Sequence, residues 1–143
     1  MSLQQTLGQP PVRAQVVAAC VELVDAQVKK HGFMIKGAYA TVKTIKKGFV
    51  ADVINALLGE WLAELQPFYD QWVATDKTVA FAAFVVARKS EVAAALLAVT
   101  DRRAAKTSHG VAKSAYGKLR PSGLQHVTEA VPDLAAIVQK FMP

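Results

Sequence analysis

The stretch Phe49-Val50-Ala51-Asp52-Val53-Ile54-Asn55-Ala56-Leu57-Leu58-Gly59-Glu60-Trp61-Leu62-Ala63-Glu64-Leu65-Gln66 decides the fold. Phe49, Val50, Val53, Ile54, Leu57, Leu58, Trp61, Leu62 and Leu65 recur at three- and four-residue steps, the period of an α-helix. Asp52, Glu60 and Glu64 lie on the other side of the same helix. Pro67 is expected to end it, because proline brings no N–H to the helical ladder. Phe68-Tyr69-Asp70-Gln71-Trp72 then reads as a short aromatic turn or helix.

The same period runs outward in both directions. Upstream, Val12, Val16, Cys20, Val24 and Val28 recur every four residues after Pro10-Pro11, and Gly32 stops the pattern. A second helix is expected from about Ile35 to Lys47, closed by Gly48. Downstream, Thr75 or Asp76 is expected to cap a helix over 78–89, and Ser90 another over 91–106. A short helix follows over 111–119. The last, over about 123–141, carries a Ser122/Gln125 capping-box spacing and a bend at Pro132. Nowhere does the alternation of a strand persist. The expectation is an all-α, single-domain bundle of about six to seven short helices covering residues 1–143.

Composition agrees. The chain has 143 residues, 52% of them hydrophobic and 20% charged, enough to bury a core without disulfides or metals. Alanine and valine dominate the apolar set, so close-packed helices with short side chains are expected. A single cysteine, Cys20, excludes an internal disulfide framework. No basic-plus-apolar leader opens the sequence, and the longest uncharged apolar run, Val79–Ala87, falls far short of the roughly 20 residues of a membrane span. Cytoplasmic residence without a transmembrane segment is the expectation.

Charge is segregated. Between Asp25 and Asp52 there is no acid, but six lysines: Lys29, Lys30, Lys36, Lys43, Lys46 and Lys47. Between Asp101 and Glu129 the only charges are Arg102, Arg103, Lys106, Lys113, Lys118 and Arg120. These windows hold 12 of the 17 bases and flank an acidic centre, in a chain of net charge +6. Each window contains Lys-x-Ala-Tyr with a base four residues after the tyrosine: Lys36, Tyr39 and Lys43, then Lys113, Tyr116 and Arg120. His-Gly precedes both, at His31-Gly32 and His109-Gly110. Read as a duplication, the pattern implies repeat units over 10–66 and 91–142 around a central helix over 78–89. Twofold pseudosymmetry would bring both tyrosine-bearing helices to one surface.

On such helices Lys36, Lys43 and Lys47, and in the second copy Lys113 and Arg120, share a face beside Tyr39 and Tyr116. One reading is an anion-binding surface in a non-enzymatic interaction module, for a nucleic acid, an acidic protein or a membrane surface. The other is a pair of solvated amphipathic helices whose tyrosine rings pack at the rim of the core. A second candidate site is the aromatic group Trp61, Phe68, Trp72 and Phe84 around Pro67, either core or the wall of an apolar pocket or subunit interface. As a pocket it implies a carrier or sensor of a small apolar or acyl ligand. Positive mean hydropathy allows a homo-oligomer face as well.

Catalytic signatures are missing. Cys20 sits on the apolar stripe of its helix, where a thiol is inert. His31, His109 and His126 show no metal-ligand spacing, and Glu60/Glu64 are paired only by helical position. No phosphate-cradling glycine loop or nucleophile elbow occurs. No cofactor or metal is expected, and an enzyme is disfavoured.

Three stretches carry a resemblance: Lys36-Gly37-Ala38-Tyr39 through Gly48, Pro67-Phe68-Tyr69 through Trp72, and Ala94-Ala95-Leu96-Leu97-Ala98-Val99-Thr100-Asp101-Arg102-Arg103-Ala104-Ala105. Together they resemble a group of short bacterial helical proteins known only as a domain of unknown function. The resemblance implies a free-standing helical domain and no catalytic or binding residue.

Overall fold

The computed structural model describes residues 2–142. Among them are eight α-helices and no strand: α1 (Leu3–Leu7), α2 (Val12–Lys29), α3 (Phe33–Lys43), α4 (Phe49–Ala74), α5 (Phe81–Val86), α6 (Lys89–Lys106), α7 (Gly110–Leu119) and α8 (Gly123–Phe141). A 3-10 turn, Arg120–Ser122, joins the last two. The chain is a single all-α domain, as its periodicity predicts.

Four long helices make the core. α2 and α6 each pack against both α4 and α8. Val16 of α2, Leu58, Leu62 and Leu65 of α4, Val92 and Leu96 of α6, and Val131, Ala135 and Val138 of α8 meet there, all buried. The short helices α1 and α5 lie across α4 and α8 respectively. Each has a first-turn N–H taken by a glutamine of its long neighbour: Leu3 N–H donates to Gln66 Oε1 at 2.7 Å, and Ala82 N–H to Gln139 Oε1 at 2.8 Å. These are amide donors that a helix leaves without an internal partner.

The structure departs from local expectation at several boundaries. α4 does not end at Pro67 but runs through it to Ala74. An interior proline costs about 3 kcal/mol through its lost hydrogen bond and steric clash. Burial of Trp72, and partial burial of Phe68 and Tyr69, offsets this, because a continued helix is what brings Tyr69 and Trp72 onto Phe81. α8 likewise continues through Pro132, with Val131 and Ala135 buried on either side of it. α1 has no apolar period long enough to be read; its signal is the capping box in which Ser2 and Gln5 bond each other's backbone N–H. The helix expected over 78–89 forms only over Phe81–Val86.

Several expected caps do not form. Thr75 and Asp76 end α4 instead of starting a helix: the Thr75 hydroxyl donates back to the Trp72 carbonyl, and Asp76 and Lys77 turn left-handed at φ 60° and 57°. Ser90 lies inside α6, and Ser122 precedes α8 without a capping bond.

Candidate functional site

α3 and α7 are short helices that pack on each other over the long-helix core. The two alanines of the Lys-x-Ala-Tyr motifs, Ala38 and Ala115, are both buried and both line the groove between the helices. The Phe49 ring, at the start of α4, lies 6.4 Å from the ring of His109, the residue that caps α7 through its Nδ1. The turn that follows α3 is thus near the start of α7. A groove of about 460 Å³ lies between them, lined by Ala38 and Thr41 on one side and by Gly110, Val111, Ser114 and Lys118 on the other.

Within this layer the tyrosines face inward. Tyr39 donates its hydroxyl proton to Asp25 Oδ1 at 2.6 Å, and Lys43 Nζ reaches the same oxygen at 3.9 Å. Tyr116 donates to Asp101 Oδ1, and its oxygen lies 3.1 Å from the Thr100 hydroxyl, whose one proton is divided between it and the Leu97 carbonyl. Arg120 grips both oxygens of Asp101, Nε at 2.8 Å and Nη2 at 3.1 Å. Burial and the neighbouring carboxylate push both phenols above their ordinary pKa. The hydrogen bond from Tyr116, then that from Arg120, hold Asp101 below the usual carboxylate value. There are therefore two clamps, in each of which an acid toward the end of a long helix holds a tyrosine of the next short helix and a base at or just past that helix's end.

Of the seven residues expected to bind an anion, Tyr39, Lys43, Tyr116 and Arg120 belong to these clamps. Lys36 and Lys113, on α3 and α7, and Lys47, in the turn before α4, are exposed and have no carboxylate within 4 Å among the described residues. Lys29 and Lys30 beside α3, and Arg103, Lys106 and Lys118 beside and on α7, are equally exposed and unpaired. Eight free cations thus surround a layer that carries no acid of its own. The acid partners Asp25 and Asp101 were missed by motif reading, yet they bound the two basic windows. Their separations from the tyrosines, 14 and 15 residues, were the available signal.

The aromatic residues divide. Trp72 and Phe84 are buried, and Tyr69, Trp72 and Phe81 pack ring on ring at 5.4–5.9 Å. Phe68 packs against that core cluster. Trp61, donating Nε1–H to the Leu96 carbonyl at 3.1 Å, instead lines a cavity of about 190 Å³ between α2, α4, α6 and α8. The cavity wall is apolar and includes Cys20, Leu58, Leu96, Val127 and Leu134; burial raises the Cys20 thiol to about 11.

His31 and His126 stack with ring centroids 3.9 Å apart, and Glu129 lies 3.5 Å from His31 Nε2. No group of three or more metal-ligating side chains converges among the described residues, and no described helix is long and apolar enough to cross a membrane.

A family model described as a family of unknown function (DUF6918) matches residues 3–142. Neither a curated protein nor a solved structure matches the chain.

Proposed function

The chain belongs to this family of unknown function, DUF6918, and from its geometry we propose that it is a non-enzymatic docking module whose α3–α7 layer meets an anionic partner. The observation that carries this reading is the juxtaposition itself. Two basic helices far apart in sequence pack side by side, and eight of the bases in and beside them have no internal carboxylate. Clustering like charges costs free energy in the isolated chain, and an anionic surface relieves it. The tyrosines position the layer through their aspartates and leave the contact to the lysines.

Heparin serves as a generic polyanion for the test. Its affinity should fall steeply with added salt. Neutralising Lys36, Lys47, Lys113 and Lys118 to Gln should weaken it by at least about tenfold, since each base near an anionic surface contributes about 1 kcal/mol. Salt-independent binding, or full binding by the fourfold variant, would overturn the reading.

A second reading is favoured by the cavity: a carrier of a small apolar ligand held between the four long helices. Its wall offers no unpaired polar group, because the Thr100 hydroxyl already donates to the Leu97 carbonyl at 2.8 Å. Apolar cavities of this order hold benzene-sized molecules and exclude water. Native mass spectrometry of the freshly purified chain should show an added mass that organic extraction removes. A clean apo mass counts against it.

A further inference from the structure

The α3–α7 layer carries apolar side chains that its charge does not explain. Phe33 and Met34, at the start of α3, are 89% and 66% exposed, whereas every other phenylalanine of the chain is buried or half-buried. Val111, placed before Lys113 as Met34 is before Lys36, is 46% exposed. On a helix, residues four apart lie within about 40° of each other. Met34 therefore lies on the same side of α3 as the buried Ala38, and Val111, on the same side of α7 as the buried Ala115, lines the mouth of the groove between the two helices. One turn before each buried alanine the side chain is open to solvent.

We propose that this layer docks on the surface of an anionic lipid bilayer, with Phe33, Met34 and Val111 entering the headgroup boundary between lysines. The inference rests on the anion-docking reading and names its partner. Two further observations favour lipid over nucleic acid. Of the eight free bases seven are lysines, and the arginines Arg102 and Arg120 are held by Glu64 and Asp101. Lysine is a point charge suited to a diffuse layer of lipid phosphates, whereas base and phosphate readout favours the arginine fork. The glycines of the two motifs also face solvent: a Cβ added at Gly37 or Gly117 would meet no atom within 4 Å, so neither glycine is required by internal packing. A glycine inside a helix weakens it, and at these two positions it adds no bulk beside the lysines. Exposed aromatic and thioether side chains set among lysines are the composition of an interfacial helix.

Flotation of the full chain with vesicles tests the proposal. Vesicles of phosphatidylcholine containing phosphatidylglycerol should carry the chain up a gradient, and pure phosphatidylcholine vesicles should not. The variant F33S/M34S should partition onto the anionic vesicles about tenfold more weakly, with heparin affinity unchanged because no charge is altered. Both side chains are exposed, so its helical circular dichroism should match the parent. Binding to heparin or to a single-stranded RNA without binding to vesicles would overturn this inference and leave the anion-docking reading standing. Binding to none of them would overturn both. Vesicle binding that F33S/M34S leaves unweakened would overturn the apolar insertion and with it the proposal.

Discussion

The clamp beneath α3 and the clamp beneath α7 use the same residue types in the same order, but they are not equally tight. In the first, Asp25 receives one phenol proton and a lysine at 3.9 Å. In the second, Asp101 receives the phenol proton and both arms of an arginine, while the phenol also pairs with Thr100. A lysine offers a flexible point charge, and an arginine a planar fork that matches a carboxylate. The geometry thus needs a base four residues after the tyrosine, and its identity sets how firmly the short helix is held. Correspondence extends beyond the clamps. Gln66 and Gln139 form a further parallel, each accepting a first-turn N–H of a short helix. We propose that this likeness reflects an internal duplication.

Three experiments sharpen or break this comparison. The largest effect belongs to the core that both halves share. Leu62→Ala should cost about 3 kcal/mol, the usual loss for a fully buried leucine. Because α4 packs on both α2 and α6, urea unfolding should remain one transition. Two resolved transitions would mean that the halves are separable units.

Next come the clamps. Tyr116→Phe removes two hydrogen bonds, one to a carboxylate, and should cost about 2 kcal/mol; Tyr39→Phe removes one and should cost about 1. Equal losses in denaturant titrations would show that the difference in geometry carries no energetic difference. Arg120→Lys should bring the second clamp toward the first and reduce the cost of Tyr116→Phe in a double-mutant cycle.

The smallest effect concerns the two His-Gly sequences, whose histidines have diverged. His109 is exposed and caps α7, whereas His31 stacks on His126. Burial, then the charge of His31, lowers the His126 pKa below 6.5. The unfolded chain takes up a proton that the folded chain resists. Stability is therefore full above about pH 6.5 and declines as pH falls through the lower folded value. The melting temperature should therefore be lower at pH 5.5 than at pH 7.5. His126→Gln should remove most of that drop, and His109→Gln should leave it intact. Asp101 acts in a separate window: its depressed pKa adds stability above 3.8 that is lost only as pH falls further.

Much of this was legible in the chain. The stripe from Phe49 to Leu65, the break at Gly32 and the two acid-free windows are local patterns, and local patterns report helices and their charge directly. Helix continuity at Pro67 was not legible, because the burial of Trp72 that offsets the proline depends on Phe81 in another helix. The tyrosines read either as part of a basic surface or as rings packed at the rim of the core. Their pairing with Asp25 and Asp101 arises only when α3 and α7 fold back on α2 and α6.

By itself the sequence determined an all-α chain, the position of most of its helices and the segregation of its charge, since helical period and residue type act over a few neighbours. Tertiary structure alone decided that the two Lys-x-Ala-Tyr helices pack on each other with Ala38 and Ala115 buried and that their phenols turn inward. It also decided that Phe33 and Met34 stay uncovered among lysines and that a cavity remains between the long helices. Those outcomes depend on which distant faces pack together, and packing is chosen by the summed burial of the whole core.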